Sequence, residues 1–246
     1  MSFDSTELAY TDSGGEGQPL ILLHGFTYSS KSNWVGTGIY DALRQSGRRV
    51  VMLDARGHGS SEKPRNSYSY WNRAMAKDVY ALGEHLSLYE YDIVGYSMGA
   101  KTAIEAVHMY SAIRSLALVG FSVYDEGWSL DEDERKTRVR NMSDDYPEEP
   151  DAYRINADQT GGDRKALAAW LEGAIFPEFT QDDLKRIHMP VLIVNGTGEY
   201  SAEEAASFFP SAKGVALEGD HMSVLENKRL PEEILTFLNL FEDDVS

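Results

Sequence analysis

Gly95-Tyr96-Ser97-Met98-Gly99 is the stretch that decides the fold of this chain of 246 residues. A short, mainly apolar run at residues 91–94 precedes it, and helix-forming residues 100–110 follow it. This pattern predicts a strand, a sharp turn and a helix, with the Ser97 hydroxyl pushed out of the backbone at the turn. The two glycines fit because a Cβ at either position would collide with the neighbouring strand or helix. The stretch therefore indicates a nucleophile elbow.

Apolar runs bounded by turn residues recur along the chain, with helical stretches between them. Continuous apolarity is typical of strands that are covered on both faces, as in a parallel sheet. The predicted strands are residues 20–23, 50–53, 91–94, 116–119, 191–194 and 214–217. The predicted helices are residues 39–46, 71–87, 98–110, 202–208 and 231–241. Because strands and helices alternate, we predict an α/β fold with a mostly parallel, doubly wound sheet.

This alternation stops between residues 124 and 185. The segment holds 17 Asp and Glu against 8 Lys and Arg, and aromatic residues lie among the charges. We predict a small, mostly helical insertion over the sheet edge, with its charges facing water and its aromatics facing inward. A disordered acidic linker is the alternative, although such linkers are usually poor in aromatic residues. The predicted core domain then comprises residues 1–123 and 186–246, and the insertion comprises residues 124–185.

The composition is strongly acidic, with a formal net charge of −17. Such a charge repels nucleic-acid phosphates and anionic lipid, so we expect neither nucleic acid nor a membrane as a partner. The first residues form no signal segment and no apolar run is long enough to span a bilayer, which favours a cytoplasmic protein. The absence of cysteine excludes disulfides and thiolate chemistry. No pattern in the sequence marks a subunit interface.

A catalytic role for Ser97 requires a histidine base, because a serine hydroxyl is a poor nucleophile on its own. Of the six histidines, His221 is the best placed, since it follows the last predicted strand in a loop at residues 218–223. We therefore predict His221 as the base. Three others are predicted to be solvated or helix-capping residues: His85, His108 and His188.

The third member of the predicted site is a carboxylate that fixes the tautomer of His221. One predicted strand runs into Asn195-Gly196-Thr197-Gly198-Glu199, so the Glu199 carboxylate lies just beyond a strand end, where catalytic groups of open α/β sheets gather. Asp125 follows another predicted strand at the same edge and is the alternative acid. Asp220 is disfavoured, because a residue adjacent to His221 reaches its Nδ1 with difficulty. Weaker candidates are Glu203 and Glu204.

An acyl-transfer site also needs two hydrogen-bond donors for the oxyanion that develops during the reaction. The backbone N–H of Met98, directly after Ser97, is one candidate. The backbone N–H of Phe26 is the other, because His24-Gly25-Phe26 follows the first predicted strand and supplies a small residue at a tight turn. We predict that these two amides form an oxyanion hole.

The order of these residues along the chain carries a resemblance to a known family. Ser97, Glu199 and His221 occur in that order, together with His24-Gly25-Phe26 and Arg56-Gly57-His58-Gly59-Ser60-Ser61. This combination resembles the α/β-hydrolase superfamily from about residue 20 to residue 241. The resemblance implies the α/β-hydrolase fold, a Ser-acid-His triad, an oxyanion hole and a small helical cap after the sixth strand, which matches residues 124–185.

The resemblance also assigns the remaining motif residues. In such families the histidine of the His-Gly motif and the Gly-His-Gly turn are structural, so His24, Asp54 and His58 are not proposed as catalytic. The family usually has aspartate where this chain has Glu199, so the acid is the member of the implied triad that departs from the pattern.

The family hosts esterases, lactonases, perhydrolases, C–C bond hydrolases, dehalogenases, a menaquinone-pathway lyase and small-molecule receptors, so the fold does not choose the reaction. Dehalogenases carry aspartate at the position of Ser97, and the acidic insertion disfavours docking on lipid interfaces. The resemblance favours a carboxylesterase-like serine hydrolase that cleaves small soluble esters or lactones through an acyl-enzyme, with no cofactor or metal. The alternatives are the menaquinone-pathway lyase, a C–C bond hydrolase, and a receptor with a slow triad. In the lyases an arginine follows the nucleophile elbow, and Lys101 stands at that position here.

Several large side chains are candidates for lining an apolar substrate pocket, although each fits the protein core equally well. They are Tyr28, Trp128, Trp170, Phe176, Phe179 and Met222.

Overall fold

Seven strands form one sheet in the computed structural model, which describes residues 1–123, 132–145, 149–175 and 179–240. The strands are β1 (Tyr10–Asp12), β2 (Pro19–Leu23), β3 (Arg49–Leu53), β4 (Tyr91–Tyr96), β5 (Ile113–Val119), β6 (Val191–Gly196) and β7 (Ala212–Leu217). Their order across the sheet is β1-β3-β2-β4-β5-β6-β7. β1 runs antiparallel to β3, and the other neighbouring strands are parallel. The prediction of a mostly parallel sheet is therefore confirmed.

The central strands are buried on both faces, which explains why their sequences are continuously apolar. Every residue of β4 and β6 is buried, and so are the last four residues of β2. The edge strands depart from this pattern. β1 is short and largely exposed, so its sequence Tyr-Thr-Asp gives no apolar signal, and β7 is only partly buried.

Helices cover both faces of the sheet, as a doubly wound fold requires. They are α1 (Ile39–Gln45), α2 (Ala74–His85), α3 (Met98–Val107), α4 (Glu132–Ser143), α5 (Ala152–Thr160), α6 (Arg164–Gly173), α7 (Gln181–Leu184), α8 (Ala202–Ala206) and α9 (Leu230–Asn239). One apolar core joins α1 and α9 to one face, through side chains such as Leu43 and Ile234. A second core joins α2, α3 and α8 to the other face, through side chains such as Val79, Ile104 and Ala205.

Among the described residues, four helices, α4 to α7, lie between β5 and β6, where the sequence predicts the insertion. The resemblance implies a cap after the sixth strand, but these helices follow the fifth strand of the described sheet. The number is lower by one because β1 is the only described strand before β2. α6 packs against α4 and against a short helical turn, Ser67–Tyr70. A third apolar cluster joins Trp170 of α6 to Phe26 and Met98. α4, α5 and α6 therefore share an apolar cluster with Met98, the residue that follows Ser97.

Glu105 carries a buried carboxyl group that takes no part in the apolar contacts described above. Glu105 of α3 is 1 % exposed, and neither of its oxygens has a hydrogen-bond partner among the described residues. The Arg73 Nε lies 4.0 Å from Glu105 Oε1. Burial raises the pKa of Glu105 to about 7, against the smaller opposing effect of Arg73.

We expect the Glu105→Gln variant to be more stable than the wild type at neutral and alkaline pH. The pKa of this carboxyl is 4.5 ordinarily and about 7 in the fold, so between these values the folded chain holds a proton that the unfolded chain has released. The free energy of unfolding therefore falls as pH rises through this range, by about 3 kcal/mol in all, and stays at the lower value above it. Glutamine carries no charge and removes this loss.

Urea unfolding of the wild type and Glu105→Gln across this pH range measures the effect, with Glu84→Gln on the exposed face of α2 as the matched control. The stability gain of Glu105→Gln should grow as pH rises and then level off. A gain of the same size at every pH would contradict the titration of Glu105.

Candidate active site

Ser97 lies at the turn between β4 and α3. Its φ of 52° is in the left-handed region, which L-residues other than glycine seldom adopt. A Cβ on Gly95 would lie 2.5 Å from the carbonyl oxygen of Gly99, and a Cβ on Gly99 would lie 2.0 Å from that of Leu23. Glycine is therefore required on both sides of this serine, for the steric reason that the sequence suggests.

The side chains of Ser97, His221 and Glu199 form one hydrogen-bonded line. His221 Nε2 lies 3.0 Å from Ser97 Oγ, and His221 Nδ1 lies 2.5 Å from Glu199 Oε1. The other carboxylate oxygen of Glu199 accepts a hydrogen bond from the Gly196 N–H at 2.8 Å. A proton on Nδ1 facing the carboxylate leaves the Nε2 lone pair to accept the serine proton. The structure thus brings together the three side chains that the sequence predicts as a catalytic site.

The competing carboxylates lie in other places. Asp220 Oδ1 accepts hydrogen bonds from the N–H groups of Met222 and Ser223 at 3.0 and 2.8 Å, which closes the loop that carries His221. Hydrogen bonds from Ser223 hold the pKa of Asp220 below its ordinary value. Asp125, the alternative acid, lies outside the described residues. The weaker candidates are exposed on α8: Glu203 and Glu204.

The turn that follows β2 lies directly beside the serine. A Cβ on Gly25 would lie 3.6 Å from Ser97 Cβ, so the backbone of this turn is in contact range of Ser97. The Gly25 N–H donates to Asn33 Oδ1 at 2.8 Å, which fixes the turn. Asn33 was missed by the sequence analysis, because it lies eight residues further on and no local motif marks it. Phe26 and Met98, whose amides are the predicted oxyanion hole, are both buried.

Two buried histidines support the neighbouring loops. His24 Nε2 accepts a hydrogen bond from the Ala55 N–H at 3.0 Å, and its Nδ1 lies 2.8 Å from the carbonyl oxygen of Gly25. His58 Nδ1 lies 3.0 Å from the carbonyl oxygen of Arg56. Burial lowers the pKa of both rings, that of His58 to about 3, so both stay neutral. These contacts fit the structural role implied by the resemblance.

A cavity of about 540 Å³ opens beside Ser97. Its described lining combines glycines, polar side chains and aromatic rings: Ser97, Gly120, Phe121, Ser122, Tyr153, Asn195, Gly198, Glu199, Tyr200 and His221. Phe121, Ser122 and Asn195 lie at or just beyond the carboxyl ends of β5 and β6, a position that the sequence could have indicated. Tyr153 comes from α5 of the insertion, and no sequence signal orients that helix.

Two of the aromatic residues predicted for the pocket are packing residues. The Trp170 ring stacks on the Phe26 ring with centroids 4.4 Å apart, within the third apolar cluster. The Phe179 ring stacks on His108, which directly follows α3, with centroids 5.7 Å apart. Neither is among the described residues that line the cavity, because each gains burial against another ring.

The other predicted pocket residues are either absent from the described lining of the cavity or lie outside the described residues. The Tyr28 hydroxyl lies 3.6 Å from the Met222 sulfur, and neither residue is among the described residues that line the cavity. Met222 remains 47 % exposed next to His221. Trp128 and Phe176 lie outside the described residues.

We expect Gly120→Ala to lower the turnover number (kcat) by tenfold or more. Gly120 has a φ of 61°, and a Cβ there would lie 2.9 Å from His221 Cε1 and 3.0 Å from its Nδ1. The new methyl group must push the imidazole away from its partners. For the predicted base, a displacement of this kind disturbs the alignment with Ser97 on which proton transfer depends.

Gly161→Ala is the matched control, because Gly161 has a similar φ of 71° and nothing within 4 Å of its Cβ position. Both variants place a methyl group at a similar positive φ, so the ratio of their kcat values reports the contacts of the new Cβ with His221 and with the Tyr96 ring, which would lie 3.2 Å away. Equal kcat values in the two variants would contradict the expected displacement.

The described part of the chain shows neither a membrane-spanning helix nor a metal-binding cluster. None of its helices combines the length and apolarity that crossing a bilayer requires. Within the same residues, His, Asp and Glu side chains form no group of three or more arranged to hold a metal ion.

Several known proteins resemble this chain in sequence or in fold. Residues 18–154 match the family model described as the alpha/beta hydrolase fold. A putative non-heme chloroperoxidase of Synechocystis sp. is 27 % identical over 77 % of this chain and 77 % of its own length. A proline iminopeptidase of Lactobacillus helveticus is 28 % identical over 92 % of each chain. The solved structure of the enol-lactonase from Burkholderia xenovorans LB400 superposes with a TM-score of 0.76 at 25 % identity, covering 96 % of this chain and 98 % of that one.

Proposed function

The chain belongs to the α/β-hydrolase family, and we propose that it is a serine hydrolase that cleaves small carboxylic esters or lactones through an acyl-enzyme on Ser97. One observation carries the proposal: Ser97 Oγ, His221 and Glu199 are in hydrogen-bonded line, with contacts of 3.0 and 2.5 Å. A hydroxyl, a base and a tautomer-fixing carboxylate in this order are what nucleophilic acyl transfer requires.

In the proposed mechanism His221 takes the Ser97 proton while the serine oxygen attacks the substrate carbonyl. The developing oxyanion is held by the backbone N–H groups of Phe26 and Met98. His221 then gives the proton to the leaving alcohol, or to the ring oxygen of a lactone. Water, activated by the same imidazole, cleaves the acyl-enzyme and restores the serine.

The size and lining of the cavity support a small, uncharged substrate. About 540 Å³ accommodates a compact molecule, and no Lys or Arg is among the described lining residues. A polyanionic substrate such as that of the menaquinone-pathway lyase would need such cations. The related structure is named an enol-lactonase, which favours including lactones. We regard residues 124–185 as a cap over this cavity, since Tyr153 of the insertion lines it.

Steady-state hydrolysis of p-nitrophenyl acetate, butyrate and octanoate, a γ-lactone and prolyl p-nitroanilide tests the proposal. Intact-mass detection of fluorophosphonate labelling reports independently on an activated serine. We expect labelling together with turnover of the short esters or the lactone. Labelling without turnover of any substrate would favour the receptor alternative, and turnover of the anilide alone would point to a peptidase.

A further inference from the structure

We infer that Tyr96 is a positioning residue, whose side chain holds the His221 loop and the Gly25 turn in register with Ser97. The inference rests on the proposed function and extends it to a residue outside the triad and the oxyanion hole. Tyr96 ends β4 immediately before the serine, and it is 1 % exposed.

A hydrogen bond connects Tyr96 to the backbone of the proposed base. The Tyr96 hydroxyl donates to the carbonyl oxygen of His221 at 2.8 Å, which joins the carboxyl end of β4 to the loop that follows β7. Burial raises the pKa of Tyr96 above its ordinary value, so the hydroxyl remains protonated and can donate. The distance between the strand that carries Ser97 and the loop that carries His221 is thereby fixed.

The ring of Tyr96 contacts three loops of the site. Its centroid lies 5.2 Å from that of the His221 imidazole, at an interplanar angle of 31°. A Cβ on Gly25 would lie 2.7 Å from the Tyr96 ring, and a Cβ on Gly120 would lie 3.2 Å from it. The ring therefore fills the space between the turn after β2, the turn after β5 and the loop after β7.

This arrangement matters because the other backbone bonds of the His221 loop run within the segment after β7 and to the loop after β6, where the Gly198 N–H donates to the Gly219 carbonyl oxygen at 2.9 Å. Asp220 and Ser223 exchange hydrogen bonds within it, and the His221 side chain is 38 % exposed. None of these bonds joins the loop to β4, the strand that leads to Ser97. Since a misplacement of about 1 Å can cost a hundredfold in rate, a bond from the neighbouring residue to the His221 carbonyl has a direct effect on alignment.

The test compares Tyr96→Phe with Tyr91→Phe, which makes the same change at the other end of the same strand. Both tyrosines are 1 % exposed. We expect Tyr96→Phe to lower kcat and the rate of fluorophosphonate labelling by about tenfold to a hundredfold, with KM within about threefold of the wild type. Tyr91→Phe should leave kcat within about twofold, whatever its effect on the melting temperature. A Tyr96→Phe variant that loses thermal stability while its kcat stays at the wild-type value would overturn the inference.

A second variant keeps the test decisive if the phenylalanine variant folds poorly. 4-Aminophenylalanine at position 96 retains a ring of similar size and an N–H donor toward the His221 carbonyl. It should restore kcat to within about threefold of the wild type, and a kcat as low as that of Tyr96→Phe would contradict a role for the hydrogen bond. Failure of the proposed function is distinguishable, because the wild type would then show neither labelling at Ser97 nor ester turnover.

Discussion

Replacing Ser97 with alanine is expected to lower ester turnover by about 10³- to 10⁶-fold and to abolish fluorophosphonate labelling. The Ser97 Oγ is the atom 3.0 Å from His221 Nε2, and alanine removes it without adding bulk. Residual turnover would then come only from binding and from the oxyanion donors, acting on a water molecule. Measurements of kcat on p-nitrophenyl butyrate and of intact mass after labelling give the two readouts.

Ser207→Ala is the matched control, because Ser207 is an exposed serine at the end of α8. Circular dichroism and thermal unfolding of both variants separate loss of the Ser97 hydroxyl from loss of the fold. Retention of more than about a tenth of the wild-type kcat by Ser97→Ala would exclude an acyl-enzyme on this residue.

Replacing Glu199 with glutamine is expected to lower kcat by about 10³- to 10⁴-fold while the fold is retained. The Gly196 N–H needs an acceptor, so the amide oxygen of Gln takes the position of the carboxylate oxygen that it bonds at 2.8 Å. The amide NH₂ group then faces His221 Nδ1, which must become the acceptor. The imidazole proton moves to Nε2, and Nε2 can no longer accept the proton of Ser97.

Asp125→Asn is the decisive comparison, because Asp125 is the alternative acid that the sequence left open. If Glu199 fixes the imidazole, Asp125→Asn should keep kcat within about tenfold of the wild type. A large loss of kcat in Asp125→Asn, with Glu199→Gln near the wild type, would reverse the assignment. Comparable losses in both would indicate that the two carboxylates act together.

Much of the fold follows from patterns that are local in sequence. The buried strands are continuously apolar because helices cover both of their faces, and this signal found every strand except β1, whose three residues are polar and largely exposed. The positions of Ser97 and Glu199 could be predicted from the sequence for a related reason. Both follow the carboxyl ends of parallel strands, and these ends meet at one edge of the sheet.

The remainder of the site depends on contacts between distant segments. The hydrogen bond from Tyr96 to the His221 carbonyl joins residues 125 positions apart, and the local sequence around neither residue predicts it. Tyr153 lines the cavity because of how the insertion packs, which its composition does not determine. Trp170 and Phe179 were offered for the pocket on apolarity alone, and that property serves ring stacking equally well.

The stacking of Trp170 on Phe26 has a consequence for engineering this scaffold. Trp170 belongs to the insertion, and its ring packs on the Phe26 ring with centroids 4.4 Å apart. The backbone amide of Phe26 is one of the two proposed oxyanion donors. Exchanging residues 124–185 for the equivalent segment of a relative, in order to change substrate preference, would therefore also change the support beneath that donor. Chimaeras of this protein should carry a flat aromatic side chain at position 170, or selectivity and rate will change together.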